Sequence, residues 1–97
     1  MKDLKAKVLI VDDDEALRRA LQDRFDFWGC EVTTAADGRE ALAAADNCGF
    51  DLILLDLSMP VMDGFEVLAR LKKDKHPADV VVLSAHGSVD KVVRALQ

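Results

Sequence analysis

Val8-Leu9-Ile10-Val11-Asp12-Asp13 and, further along, Leu52-Ile53-Leu54-Leu55-Asp56 follow one plan: four apolar residues, then acid. An unbroken apolar run of this length, with no polar alternation, suits a strand covered on both faces. Helical patterns separate such runs. Residues 14–28 carry Leu17, Leu21, Phe25 and Trp28 at spacings of four, four and three, with Phe25 and Trp28 expected in the core, and Gly29 follows where a left-handed residue would end the helix. Residues 31–34 read as a more polar strand near a sheet edge. Asp37-Gly38 opens an Ala-rich helix through Ala45, stopped near Asn47 and Gly49. Asp63-Gly64 opens a third helix with Phe65, Leu68 and Leu71 on one side, broken at His76-Pro77. A fourth buried strand over 80–83 precedes a helix that Ser88 caps and Val89, Val92, Val93 and Leu96 stripe. Strands alternating with helices imply right-handed crossovers and an α/β fold with a parallel sheet.

The 97 residues make one domain with a single core. An apolar fraction of 51% and a charged fraction of 32% exclude a disordered tail. No apolar run approaches the ~20 residues of a membrane span, and the N-terminus has no signal-peptide pattern. The expected location is therefore cytoplasmic. Cys30 and Cys48 have no zinc-type spacing and read as reduced, inert thiols. A net charge of −5 argues against nucleic acid as a partner. More than half of that charge sits on Asp12, Asp13 and Asp56.

In an open parallel sheet, ligands bind beyond the carboxyl ends of the strands, where the strand order reverses. The polar residues of this chain fall there. Asp12, Asp13 and Asp14 end the first strand, Asp56 the third and Ser84 the fourth. If the first and third strands are neighbours, two or three carboxylates converge in one cleft. Like charges so placed raise one another's pKa unless a cation sits among them. An all-oxygen site with room for water and phosphate suits Mg²⁺. A carboxylate beside that ion can attack a phosphoryl group. Asp14 and Glu15, by contrast, fit the ordinary role of acids at a helix start.

These pieces, in this order, resemble a response-regulator receiver domain, the phosphoacceptor module of two-component signalling. The matching residues are Val8 to Asp13, then Leu54-Leu55-Asp56-Leu57-Ser58-Met59-Pro60 with Asp63-Gly64, and Leu83-Ser84-Ala85. The resemblance implies a flavodoxin-like, doubly wound sheet in strand order 2-1-3-4, a receiver over residues 1–97 truncated after its fourth helix, with the fifth βα unit missing. It implies that Asp56 takes a phosphoryl group from a histidine kinase or a phosphotransfer protein. Mg²⁺ would be held by Asp13, Asp56 and the Ser58 backbone carbonyl, with Asp12 helping through water. Ser84 would bind a phosphoryl oxygen and act as the switching hydroxyl. Met59 and Pro60 would shape the acceptor loop, and Asp63 and Gly64 the turn into the next helix. His86 could tune water access to an acyl phosphate. On this reading the chain is a signalling module, not an enzyme.

Two other functions compete. Asp12-Asp13-Asp14 also spells the D-x-D of haloacid-dehalogenase-like phosphohydrolases, with Asp12 as nucleophile and Asp14 as acid. That leaves Asp56 and the Met59-Pro60 loop unexplained, and Glu15-Ala16 depart from its pattern. The other is an interaction module that takes no phosphate, for which the missing last unit is the support. That missing unit also sets a further expectation. The run Val80-Val81-Val82-Leu83 would be an unpaired edge, and a homodimer would bury it.

Overall fold

The computed structural model describes residues 5–47, 49–56 and 64–82. Its sheet has four parallel strands in the order β2-β1-β3-β4. They are β1 (Lys7–Val11), β2 (Glu31–Ala35), β3 (Leu52–Leu55) and β4 (Asp79–Val82). Helices α1 (Glu15–Phe27), α2 (Gly38–Asn47) and α3 (Gly64–Lys73) make the crossovers. The expected strand order is the one found. The polar 31–34 strand lies at one edge, extended by one residue. The fourth strand starts at Asp79, one residue early, and is not the buried strand expected: Val80 and Val82 are half-buried against the α2–α3 core while Val81, on the opposite face, is 47% exposed. Leu83, the 88–96 helix and the covering of the β4 edge lie outside the described residues. No helix among the described residues is long and apolar enough to cross a membrane.

Alternation along β1 and β3 explains why both are apolar throughout. Val8, Ile10 and Leu54 face α1, where Leu21, Phe25 and Cys30 pack on them. Leu9, Val11, Ile53 and Leu55 face the other way, into a larger core with Ala41, Ala45, Val67, Leu68 and Leu71 of α2 and α3. The central strands are dry on both sides. Val67, which the spacing-of-three stripe of α3 omits, is buried as fully as the strands.

Trp28 departs from its expected place in the core. It is 60% exposed, and Leu17 at the other end of the same stripe is 43% exposed. Trp28 is the C-cap residue, one past the last helical residue Phe27. Only the middle of the stripe, Leu21 and Phe25, reaches the core. The Trp28 ring stands edge-on to Phe25 at 5.3 Å, with the Arg24 guanidinium 6.0 Å from its centroid.

Both ends of α1 are closed by local bonds. Asp14 caps the start, its Oδ1 accepting from the Ala16 and Leu17 N–H groups at 3.0 and 3.2 Å. Asp14→Ala should therefore cost about 1 kcal/mol, read as a lower urea midpoint at unchanged slope. At the other end the Gly29 N–H donates to Asp26 O and the Cys30 N–H to Phe25 O, a Schellman closure with Gly29 at φ +87°. Helix α3 ends in the same closure, the Lys75 N–H donating to Lys72 O and the His76 N–H to Leu71 O. There the left-handed residue is Lys75, at φ +56°. A Cβ in that region costs roughly 1–2 kcal/mol, against which glycine loses some unfolded-chain entropy. Lys75→Gly is thus expected to stabilise the fold by about 0.5–1 kcal/mol; a lowered melting midpoint would contradict this.

Candidate functional site

The chain leaves β1 toward β2 on one side and later enters β3 on the other, so the order reverses between β1 and β3. Val11 lies level with Leu55 in the register, which puts the next residues, Asp12 and Asp56, side by side. Backbone pairing continues one step past the strands. The Asp56 N–H donates to Val11 O at 2.9 Å, and the Asp12 N–H to Ala35 O at 3.1 Å. Both acids are consequently fixed by the sheet itself, and both are buried, Asp12 at 3% exposure and Asp56 at 8%. Asp13 is exposed. One carboxylate oxygen from each of the three can be chosen so that all lie within 4.8 Å of one another.

Burial raises the Asp12 pKa above its ordinary value, and the negative charges of Asp56, Asp13 and Asp14 raise it further. The Asp14 N–H, which donates to Asp12 Oδ1 at 2.9 Å, opposes this. Three close carboxylates, two of them withdrawn from water, form a site that a hard divalent cation fits by donor type and charge. The expected convergence of Asp12, Asp13 and Asp56 is therefore found. Asp14 stands apart in role, since its carboxylate caps α1. That removes the acid which a D-x-D phosphohydrolase would need. Gly64 is the buried first residue of α3. Ser58, Met59, Pro60, Asp63, Ser84 and His86 lie outside the described residues, as does Cys48. Cys30 is a free, half-buried thiol against the α1 side of the core.

Arg18 is a site neighbour absent from the sequence reading. Its Nη1 donates to the Asp12 carbonyl at 2.8 Å. The spacing of six residues matches no helical face, because the first of the two lies before the helix. The only sequence signal was a cation one turn into a helix that an acidic run opens.

The family model described as the response regulator receiver domain matches residues 8–97. The chain is 42% identical over 89 residues to the uncharacterized transcriptional regulatory protein YkoG of Bacillus subtilis, covering 91% of this chain and 39% of that protein. It is 43% identical over 91 residues to the transcriptional regulatory protein PrrA of Mycobacterium tuberculosis, covering 94% and 39%. The chain thus spans about two fifths of the length of these relatives. Among solved structures, the receiver domain of the Francisella response regulator 1452 superposes with a TM-score of 0.85 at 34% identity, covering 94% of this chain and 75% of that one. The response regulator TrrA of Thermotoga maritima, in complex with Mg²⁺-BeF, gives 0.82 at 32% identity, covering 93% and 80%.

Proposed function

Because the chain belongs to the response regulator receiver domain family, we propose that it works as a phosphoacceptor and that Asp56 takes the phosphoryl group. Receiver domains of two-component response regulators are signalling modules rather than classical enzymes, and their partners in general are histidine kinases or phosphotransfer proteins. The observation that carries the reading is the gathering of Asp12, Asp13 and Asp56 within 4.8 Å at the switch point of the sheet. A cytoplasmic location goes with the same reading.

In the transfer, a carboxylate oxygen of Asp56 attacks the phosphorus of a phosphohistidine. The new O–P bond forms as the N–P bond breaks, and the imidazole nitrogen leaves with the electron pair. Mg²⁺, when bound, offsets the negative charge between carboxylate and phosphoryl oxygens. Asp12 and Asp13 would hold it with Asp56 and the Ser58 carbonyl. The backbone bonds at the ends of β1 and β3 hold Asp12 and Asp56 in place, so little reorganisation of these two accompanies the attack. Ser84 would donate to a phosphoryl oxygen. His86 would tune water access.

Intact-mass measurement after incubation with a small acyl-phosphate donor tests this directly. A gain of one phosphoryl group in Mg²⁺, lost when the metal is chelated, is the expected result. An unchanged mass in Mg²⁺ would overturn it.

A further inference from the structure

We infer that Arg18 is a positioning residue for the metal-binding carboxylates, an inference that rests on the phosphoacceptor reading above. The strand ladder stops at Asp12. The Asp12 N–H is paired with Ala35 O, but its carbonyl is beyond the strand ladder. Arg18, half-buried on α1, supplies a donor to that carbonyl at 2.8 Å. On the far side of Asp13, the Asp14 N–H is tied to Asp12 Oδ1 and the Asp14 carboxylate to the start of α1. The exposed Asp13 therefore sits between two anchored peptide groups.

Peptide planarity gives the Arg18 bond its leverage. The carbonyl of Asp12 and the nitrogen of Asp13 share one rigid plane, so holding that oxygen orients the bond entering the Asp13 Cα. With the Asp14 N–H held on the other side of Asp13, this narrows the backbone angles at Asp13 and so the directions open to its side chain. Asp12 and Asp56 have the sheet to hold them; Asp13, the third member of the trio, depends on this turn. Arg18 suits the task because the guanidinium stays protonated, and the bond it makes is a single one, which needs one charged donor rather than a two-pronged grip.

The sign of the effect separates positioning from charge. Arg18 is a cation beside a cation site, so by Coulomb's law alone its removal would tighten Mg²⁺ binding. Positioning demands the reverse. Calorimetric titration of the full chain with Mg²⁺ should show Arg18→Met weakened roughly tenfold, the scale of lost outer-shell support at metal sites. Arg18→Lys, which restores a charged donor, should return the affinity to within about threefold of wild type. In acyl-phosphate labelling, the Mg²⁺ concentration for half-maximal rate should rise with Arg18→Met while the rate at saturating Mg²⁺ is retained. A merely structural role would not shift one without the other.

Equal or tighter Mg²⁺ binding by Arg18→Met would overturn the inference, as would failure of Arg18→Lys to restore it. A lowered plateau rate at unchanged half-saturation would do the same. If wild type itself neither binds Mg²⁺ nor is labelled, the phosphoacceptor reading fails, and the role of Arg18 falls with it.

Discussion

Asp56→Asn is expected to reduce phosphoryl incorporation from an acyl-phosphate donor by at least roughly two orders of magnitude, the scale on which removing a nucleophile acts. The substitution keeps the size of the side chain and its place at the end of β3, where the backbone N–H still meets Val11 O. What it removes is the charge and the nucleophilic lone pair. An amide oxygen attacks phosphorus poorly because its electron density is shared with nitrogen. The remaining acids, Asp12 and Asp13, lie within reach of the same space, so the variant also asks whether position alone makes an acceptor. Initial rates from intact mass, with cooperative melting as the check on folding, answer this. Labelling of Asp56→Asn at the wild-type rate would remove Asp56 from the role. Loss of labelling in Asp12→Asn with Asp56→Asn unaffected would instead restore the D-x-D nucleophile.

The reading of the sheet succeeded where period and physics coincide. Runs 8–11 and 52–55 have no polar residue to point at water and are covered on both faces by the two cores, whereas the equally apolar 80–82, at the end of the strand order, leaves Val81 exposed. The convergence of Asp12 with Asp56 depended on one further condition, that β1 and β3 be neighbours; topology rules favour this arrangement, and the register shows it. Periodicity counts angle around a helix, and so puts Trp28 on the α1 stripe although it is the C-cap, past the last helical residue. Lys75 in the left-handed region went unforeseen since no glycine marks the position, and the turn imposes the conformation on whatever residue stands there. Arg18 was missed for a related reason. Its contact spans the turn between β1 and α1, where neither a period of two nor one of 3.6 applies.

Asp13→Asn is expected to abolish measurable Mg²⁺ binding and, with it, the stabilisation that Mg²⁺ gives the folded chain. A ligand that binds only the native state stabilises it by about 2.7 kcal/mol at a hundred times its dissociation constant. Wild type should show a shift of that kind in its melting midpoint, and Asp13→Asn none. Without metal the order reverses. At the outer limit of 4.8 Å two unit charges repel by about 1–3.5 kcal/mol for effective dielectric constants between 80 and 20, and the exposure of Asp13 selects the low end. Metal-free Asp13→Asn should thus melt slightly above metal-free wild type. The pH dependence follows from Asp12, whose pKa burial and its acidic neighbours raise in the fold. A carboxyl harder to ionise in the native than in the unfolded chain costs stability at neutral pH. That cost fades as pH falls through the raised native value toward the ordinary 3.8, so Asp12 makes the metal-free protein gain stability in that window. Mg²⁺ needs the ionised form, so the midpoint shift it causes must shrink over the same window. Melting curves in chelator and in saturating Mg²⁺, taken from neutral pH downward, test both signs at once. A Mg²⁺ shift that persists undiminished at low pH, or survives in Asp13→Asn, would mean that the ion binds elsewhere than among these three carboxylates.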